Sequence, residues 1–328
     1  MPIVRVTRPG MGTEFEVIAC GAVASYLEDA AEQALDEVER LEALLSHYRP
    51  ASDIGDLNAR AAIEPVRVDP RLLAILERAL AIGEATGGAF DITAGPLLRL
   101  WGIYQRQGRW PSPEEIRETL AVVGRHNLVI DREAGTIRYR RPGVELNLGA
   151  FGKGLAIDAV AETLRELGIT AALIHGGTSS VYALGAPPGA EAWAVGIRHP
   201  GRPGERLGRV RLRDRALSTS GNYEQSFEVE GRRFGHLIDP RTGYPARGVA
   251  SVSVAGASAA ETDALSTALF VMGVAAAKEF GARRPDLGLV IVPEPADERH
   301  APETITLDIE WEREATAAGE PPAPEVQA

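Results

Sequence analysis

The stretch Val144-Glu145-Leu146-Asn147-Leu148-Gly149-Ala150-Phe151-Gly152-Lys153-Gly154 lies near the centre of the chain and decides the predicted fold. We predict a β-strand over 144–148, then a glycine-rich turn, then a helix that continues to Gly168. The apolar run Ala171–Ile174 returns as a second strand. Backbone N–H groups at the N-terminus of such a helix can bind phosphate oxygens, and glycines let a ligand approach closely. This strand–glycine loop–helix–strand unit is therefore a candidate phosphate-binding element.

The glycine loop departs from the common nucleotide-binding motifs. Asn147 occupies the first glycine position of a Walker A loop, and Gly154 stands where that motif needs Ser or Thr. The loop does not read Gly-x-Gly-x-x-Gly either. A phosphate-binding loop and a tight structural turn both stay open. Lys153 is one of only two lysines among 35 basic residues, so its position inside this loop favours a functional role.

The flanking sequence predicts an α+β fold, in which one large mixed domain has mainly antiparallel sheets flanked by helices. Strands are predicted at Val4–Thr7 and Glu14–Ala19, a long amphipathic helix runs up to Leu45, and Ser52–Asn58 is predicted as a polar loop. We expect the domain to span residues 1–312 and residues 313–328 to form a disordered acidic, Pro-containing tail. The remaining predicted elements are a helix over Arg71–Thr86, a helix that starts with a capping box at Ser112, a hairpin of Leu128–Asp131 with Thr136–Arg140, and strands over Val249–Ala255, Leu287–Val292 and Ile305–Trp311.

The composition is that of a globular protein, and it limits the partners. A net charge of −11 argues against a nucleic-acid partner or an anionic membrane surface, because both favour basic patches. A single cysteine permits no intramolecular disulfide, and no apolar run is long enough to predict a transmembrane segment. Val17-Ile18-Ala19-Cys20 faintly resembles a lipoprotein cleavage site, but the charged residues before it leave no apolar leader. We therefore expect a cytoplasmic protein.

The segment that begins at Ser258 contains candidate metal ligands. Its first four residues have a capping-box pattern, which places Asp263, Ser266 and Thr267 on one face of the first turns of a helix. A carboxylate and a hydroxyl one turn apart can both reach a hard cation such as Mg²⁺ or Ca²⁺. The competing interpretation is an exposed acidic residue that merely complements the helix dipole.

The turn His236-Leu237-Ile238-Asp239-Pro240-Arg241-Thr242-Gly243 contains a candidate general base. The ordinary pKa of histidine suits proton transfer near neutral pH. Asp239 could orient His236 or cap the turn. The chain has neither a Gly-x-Ser-x-Gly nor a His-Glu-x-x-His motif, so serine-hydrolase and zincin chemistry have no support. A base together with a hard-cation site indicates phosphoryl or pyrophosphate chemistry.

Taken together, these segments resemble the FAD:protein FMN transferases, a family formerly described as thiamine-biosynthesis lipoproteins. Eight blocks match in the family's order over roughly residues 10–275, which makes the resemblance specific although no single block would be. The blocks are Met11-Gly12-Thr13; Ser46–Pro50 with Ser52 and Leu57-Asn58; Gly87–Thr93 with Leu100-Trp101-Gly102; Leu148–Asp158; Gly176-Gly177; Ser218–Tyr223; His236–Gly243; and Asp263–Ala268.

The resemblance implies an enzyme that cleaves the pyrophosphate of FAD. It would transfer FMN to a threonine of an acceptor protein through a phosphoester bond and release AMP, with Mg²⁺ required. By position, the metal ligands would be Asp263, Thr267, Ser266 and the carbonyl oxygen of Ala150. His236 is the expected catalytic base, and Tyr48 is expected to stack on a flat ring of FAD. The residues expected to bind FAD are Met11, Tyr48, Ala89, Phe90, Asp91, Asn147, Lys153, Asp158, Gly176, Gly177, Leu237 and Ile238.

Two departures from the family pattern bear on these expectations. Many members carry Asp where this chain has Asn147, and many begin with a lipoprotein signal, whose absence here favours a cytoplasmic acceptor or a separate partner domain. An FAD pyrophosphatase that produces FMN and AMP stays open as an alternative. A flavin-binding protein without turnover is the third hypothesis. Asn58 is a candidate for the residue that decides between transfer and hydrolysis.

Overall fold

The computed structural model describes residues 1–222, 226–229, 231–295 and 303–313. Its central element, within these ranges, is an eight-stranded sheet in which every neighbouring pair of strands is antiparallel. Arg313, predicted as the first residue of the disordered tail, instead lies at the end of a strand. Residues 314–328 of the predicted tail and Tyr223 of the sixth matching block lie outside the described residues. In spatial order the strands are β1 (Ile3–Gly10), β2 (Thr13–Cys20), β6 (Ala172–Gly176), β7 (Ser180–Leu184), β10 (Arg215–Gly221), β13 (Val249–Gly256), β14 (Gly288–Pro293) and β15 (Ile305–Leu307).

Three smaller sheets surround the central sheet in the described part of the chain. They are β3 (Val66–Arg67) with β5 (Thr136–Tyr139) and β4 (Leu128–Asp131); β16 (Trp311–Arg313) with β9 (Arg206–Leu212) and β8 (Trp193–Arg198); and the hairpin of β11 (Ser226–Val229) with β12 (Arg232–Gly235). The helices are α1 (Ala24–Leu45), α2 (Asp53–Arg60), α3 (Pro70–Ala85), α4 (Gly95–Leu100), α5 (Pro113–Leu120), α6 (Gly152–Glu166), α7 (Ala259–Met272) and α8 (Val274–Ala282). Among the described residues, no helix combines the length and apolarity that crossing a membrane requires.

The central sheet is covered on both faces because its side chains alternate between two cores. Val17 and Ile174 point into the larger core, which the buried faces of α1, α6 and α7 complete. Their sequence neighbours Ile18 and Leu173 point to the opposite face and pack against the β8–β9 sheet. Burial on both faces explains why β6 and β7 are apolar along most of their length. This arrangement confirms the predicted α+β class with mainly antiparallel sheets.

The predicted strand over 144–148 is wrong, although the segment is extended and runs into the glycine loop as expected. Its backbone groups bond to loop and side-chain partners rather than to a strand. The Asn147 N–H donates to the carbonyl oxygen of Ile92 at 2.7 Å. The Asn58 side chain accepts from the Leu146 N–H at 2.8 Å and donates to the Leu146 carbonyl at 3.0 Å. Asn58 thus takes the place of a neighbouring strand.

Two further expectations are corrected. The predicted polar loop at Ser52–Asn58 is mostly helix α2, because the Ser52 hydroxyl accepts a hydrogen bond from the Gly55 N–H at 2.9 Å and caps it. The predicted strand Ile305–Trp311 is two strands that join different sheets. Asp308 adopts φ 47°, a left-handed conformation that ends β15 and redirects the chain. The other predicted strands and helices are confirmed to within a few residues.

Gly154 is the point at which α6 crosses α7, and it provides a test of this packing. An added Cβ would lie 2.1 Å from the carbonyl oxygen of Ala259 and 2.7 Å from the Cα of Ala260, both backbone atoms. At Gly152 the nearest atom would be 3.9 Å away. We expect Gly154→Ala to lower the free energy of unfolding by about 2–3 kcal/mol. Gly152→Ala is the matched control, with an expected change below about 1 kcal/mol. Equal urea-unfolding midpoints for the two variants would contradict this packing.

Candidate functional site

The carboxylate of Asp263 lies at the junction of α7, the glycine loop and β7. Its side chain is buried, with 5% of the residue surface exposed. One oxygen accepts a hydrogen bond from the Gly154 N–H at 3.1 Å, and the other accepts from the Ser180 hydroxyl at 3.3 Å. The Lys153 ammonium lies 3.8 Å from the same carboxylate. The interpretation of Asp263 as an exposed residue that merely complements the helix dipole is therefore wrong.

Two hydroxyl groups follow Asp263 on the same face of α7, as the sequence predicted. The Ser266 and Thr267 hydroxyls lie 2.9 Å and 3.1 Å from the hydroxyl of Ser220, which is on β10. Ser266 is fully buried and also donates to the Asp263 carbonyl oxygen at 2.9 Å. Ser220 belongs to a matching block, but no role was predicted for it. Its position on the strand next to β7 adds another hydroxyl to this cluster.

The donor set of this cluster fits a hard cation. Within the described residues, no group of three His, Cys, Asp or Glu side chains is arranged to hold a metal ion. The cluster instead supplies one carboxylate and several hydroxyl groups, and Ala150, whose carbonyl oxygen is a further expected ligand, lies in the loop before α6. Mg²⁺ takes oxygen ligands and usually keeps several waters, so it does not need a cage made only of carboxylates. The residues present therefore suit Mg²⁺ better than a softer metal.

A cleft of 840 Å³ opens beside Lys153 and brings together three predicted FAD-binding residues, Met11, Lys153 and Gly177. Met11 and Gly12 form the two-residue tip of the β1–β2 hairpin, with φ values of 49° and 76°. This turn holds the Met11 side chain at the rim of the cleft. Strands β8 and β9 and their connecting loop add basic residues to the same cleft that were not predicted from the sequence, namely Arg198, Arg202 and Arg206.

A second cleft, of 720 Å³, lies next to the predicted stacking residue Tyr48 and is lined by His47, Asn58, Arg99 and Glu145. Tyr48 is 68% exposed, an unusual degree for an aromatic ring. The His47 ring supports it from one side, with the two ring centroids 3.8 Å apart. The free face of Tyr48 can therefore stack on a flat ring.

The segment Ala89-Phe90-Asp91 follows helix α3 and is mostly buried. The Phe90 ring packs 6.4 Å from the ring of Phe151 in the glycine loop, so a ligand would meet the backbone of Ala89 and Phe90. One Asp91 oxygen accepts from the backbone N–H and the hydroxyl of Thr93, at 2.8 Å and 2.6 Å. Burial raises the pKa of Asp91 above its ordinary value. Besides that backbone, the second oxygen of Asp91 is a side-chain atom that this segment can offer to a ligand.

His236 follows directly after β12 and is half-buried. An added Cβ on the preceding Gly235 would lie 1.9 Å from the Oδ1 atom of Asn222. Asn222 stands two residues beyond Ser220, so His236 lies near the end of β10 that contributes to the hydroxyl cluster. The Trp101 indole holds the same turn by donating to the Gly243 carbonyl at 2.8 Å.

The residues after His236 form the turn that the sequence predicted. The Asp239 carboxylate accepts from the Arg241 backbone N–H and from its guanidinium group, each at 2.9 Å. Asp239 therefore caps the turn, which was one of its two predicted roles. Leu237 accepts a backbone hydrogen bond from the Ala246 N–H at 2.9 Å, and Ile238 is buried. The backbone of Leu237 and Ile238 is thus fixed beside His236.

Asp158 and the glycine pair have clear structural roles. The Asp158 carboxylate accepts from the Ser258 hydroxyl at 2.6 Å and from the N–H groups of Ala259 and Ala260 at 2.6 Å and 3.1 Å. It therefore caps α7 from α6 and helps to place Asp263. At Gly177, which has φ 64°, an added Cβ would lie 2.6 Å from the Thr13 hydroxyl. Gly176 is also closely packed, because a Cβ added there would lie 2.9 Å from the Ile157 side chain of α6.

Comparison with known proteins shows that similar sequences are flavin transferases. The sequence model of the ApbE family matches residues 11–291. An FAD:protein FMN transferase of Treponema pallidum (strain Nichols) is 36% identical over 265 residues, which cover 76% of this chain and 73% of that protein. An FAD:protein FMN transferase of Escherichia coli (strain K12) is 30% identical over 293 residues, with coverages of 88% and 83%.

Solved structures agree with the sequence comparison. The ApbE protein of Thermotoga maritima superposes with a TM-score of 0.82 at 30% identity, covering 96% of this chain and 98% of that one. The flavin transferase ApbE of Vibrio cholerae superposes with a TM-score of 0.78 at 25% identity, with coverages of 93% and 97%. The sequence match and the shared fold extend over most of the chain, and on these grounds the chain belongs to the ApbE family.

Proposed function

We propose that this chain transfers FMN from FAD to a threonine hydroxyl of an acceptor protein, with Mg²⁺ as cofactor and AMP as the second product. The observation that carries the proposal is the buried Asp263 carboxylate. It lies against the Gly154 N–H and near Lys153, and two further hydroxyls follow it on the same helix face. This combines an anion-binding loop with oxygen ligands for a hard cation, which phosphoryl transfer from a pyrophosphate requires. The relatives named FAD:protein FMN transferase support the same reaction.

The dinucleotide would bind across the glycine loop, between the two clefts. Tyr48 would stack on one of its flat rings, and the backbone of Ala89 and Phe90 with the Asp91 carboxylate would line the same region. Met11 and Gly177 would contact it in the cleft beside Lys153. The Lys153 ammonium would balance charge on the pyrophosphate, because it lies at the boundary between the 840 Å³ cleft and Asp263.

The residues that would hold Mg²⁺ are Asp263 and Thr267, with Ser266 and the Ala150 carbonyl as further candidates. When bound, this ion would neutralise negative charge on the pyrophosphate oxygens. The hydroxyls of Ser266 and Thr267 are already oriented by Ser220, which limits the rearrangement that binding would need. Burial of Asp263 keeps its carboxylate in one orientation.

His236 would act as the general base. The threonine oxygen attacks the phosphorus on the FMN side, the bond from that phosphorus to the bridging oxygen breaks, and AMP leaves. The threonine proton passes to His236, whose backbone is fixed by the turn that Asp239 caps. A positioned base of this kind contributes about 10²–10⁴ in rate.

The two alternatives differ from this proposal in the fate of FMN. An FAD pyrophosphatase would use water in place of threonine, and a flavin carrier would need neither Asp263 nor His236. The names of the relatives favour transfer over both. Asn58 was a candidate for choosing between threonine and water, but its side chain is committed to the Leu146 backbone and the Tyr139 hydroxyl. A cytoplasmic location stays a prediction from the sequence.

Removing the proposed metal ligand tests the reaction directly. We expect Asp263→Ala to abolish Mg²⁺-dependent release of AMP from FAD, because the ion loses its single carboxylate ligand. AMP is measured by chromatography over a Mg²⁺ titration. Glu279→Ala on the exposed face of α8 removes an equal charge away from the site and should leave AMP release unchanged. Turnover that survives in Asp263→Ala would show that the proposed metal site is wrong.

His236 is tested by separating binding from transfer. We expect His236→Ala to bind FAD with an affinity close to that of the wild type and to transfer FMN about 10²–10⁴ times more slowly. Binding is followed by quenching of flavin fluorescence, and transfer is followed by the mass of the acceptor. His236→Gln retains a polar side chain but not the base, so it should be equally slow. A loss of FAD affinity in both variants would instead make His236 a ligand contact.

A further inference from the structure

The side chain of Asn147 links the glycine loop to the aromatic pair His47 and Tyr48. Its Oδ1 atom accepts a hydrogen bond from the Gly149 N–H at 2.7 Å. Its Nδ2 atom lies 2.8 Å from the Tyr104 hydroxyl and 3.3 Å from the Nε2 atom of His47. All the polar atoms of the Asn147 amide therefore have partners that lie in three different segments of the chain.

These contacts fix the direction of every hydrogen bond around Asn147. The Gly149 N–H can only donate, so the atom facing it must be the amide oxygen. The NH₂ group then faces Tyr104 and His47, and each of its two hydrogens has an acceptor. His47 must accept at Nε2, which places its proton on Nδ1 and leaves the ring neutral. A doubly protonated His47 would set one N–H against another.

The hydrogen bonds of Tyr104, Glu145 and Arg99 have donors and acceptors that agree with this orientation of the Asn147 amide. The Tyr104 hydroxyl accepts from Asn147 and donates to a Glu145 oxygen at 3.2 Å. The Arg99 guanidinium donates to the other Glu145 oxygen at 2.7 Å. Burial raises the pKa of Tyr104, which keeps the hydroxyl proton that this arrangement needs. The His47 ring is 5.0 Å from the Tyr104 ring, so both packing and hydrogen bonding hold it behind Tyr48.

We propose that Asn147 is a positioning residue. It holds His47 neutral, with its proton on Nδ1, and so keeps this ring in place behind the stacking surface of Tyr48. It also anchors Gly149, the first residue of the glycine loop. The inference rests on the proposed binding of FAD at Tyr48. The Asn147 amide thus links Tyr48, where a flat ring of FAD would stack, to the glycine loop, where the pyrophosphate would bind. A carboxylate at this position cannot donate to His47 and would impose a different protonation state.

The charged and titratable groups around His47 support this assignment. They are Glu145, whose charge favours protonation of His47, Arg99, which opposes it, and the neighbouring phenols of Tyr48 and Tyr104. Burial is the dominant influence and lowers the pKa of His47. The Asn147 amide adds no charge of its own. The Asn147→Asp substitution would place a negative charge where the Asn147 amide now lies 3.3 Å from Nε2, and a charge so close raises the pKa of His47.

The protonation state is tested first by NMR of the wild-type protein labelled with ¹⁵N-histidine. The His47 signals are assigned as those that His47→Gln removes from the six histidines of the chain. We expect a neutral ring at neutral pH with its proton on Nδ1, and a titration midpoint below the ordinary histidine pKa. A proton on Nε2, or titration near the ordinary histidine pKa of about 6.5, would overturn the proposal. This measurement does not depend on FAD, so it stands apart from the proposed function.

The link to binding is tested by FAD affinity as a function of pH in four proteins. In the wild type and in His47→Gln, the FAD affinity should show no pH transition due to His47, whereas in Asn147→Asp it should show one. Below the raised His47 pKa the imidazolium offsets the new carboxylate; above it the uncompensated charge repels the pyrophosphate. We expect the Kd of Asn147→Asp to rise about fivefold as the pH rises from about 6 to about 9. The double variant Asn147→Asp/His47→Gln should bind weakly throughout and lack the transition.

A transition that persists in the double variant would show that another group titrates and would overturn the assignment to His47. The same would follow if Asn147→Asp had the pH profile of the wild type. If the NMR result holds but none of the four proteins binds FAD, the protonation assignment survives and the proposed function fails.

Discussion

The buried carboxylate of Asp263 is the constraint on which the rest of the site depends. A buried charge is stable only when it is hydrogen-bonded or paired, and Asp263 meets this condition through Gly154, Ser180 and Lys153. Gly154 and Lys153 belong to the first turn of α6 and Ser180 belongs to β7, so one side chain fixes both elements relative to α7. Asp158 strengthens the same junction from the other helix by capping α7. The site is therefore part of the core packing rather than an addition to the surface.

The glycine loop connects the two clefts and gives the site its two ends. At one end Lys153 and the Met11 hairpin tip border the 840 Å³ cleft, and at the other end Asn147 supports the aromatic pair beside the 720 Å³ cleft. A long ligand with charge in its middle and flat rings at its ends suits this layout. The basic residues of β8 and β9 add positive charge to a protein with a net charge of −11, so the charge near the site differs from that of the whole molecule.

Much of this fold could be predicted from the sequence because its local signals are strong. The capping box at Ser112 and the Ser258 cap before α7 mark where helices begin, and the spacing of Asp263 and Thr267 placed both on one helix face. The strand predicted at 144–148 failed for a physical reason. An extended segment becomes a strand only if another strand lies beside it, and here the neighbours are Ile92 and the Asn58 side chain. Contacts between distant segments, such as Asn147 with Tyr104 or Ser220 with Thr267, leave no local pattern to find.

The most direct test of the central claim is the fate of FMN when the purified protein meets FAD, Mg²⁺ and a threonine-bearing acceptor domain. AMP is quantified by chromatography, and the mass of the acceptor is measured by mass spectrometry. Our account predicts that each modified acceptor gains the mass of one FMN group and that one AMP is released for each gain. Release of AMP with free FMN and an unmodified acceptor would contradict it and favour the hydrolase. Bound FAD with no AMP would contradict it as well and indicate a flavin carrier.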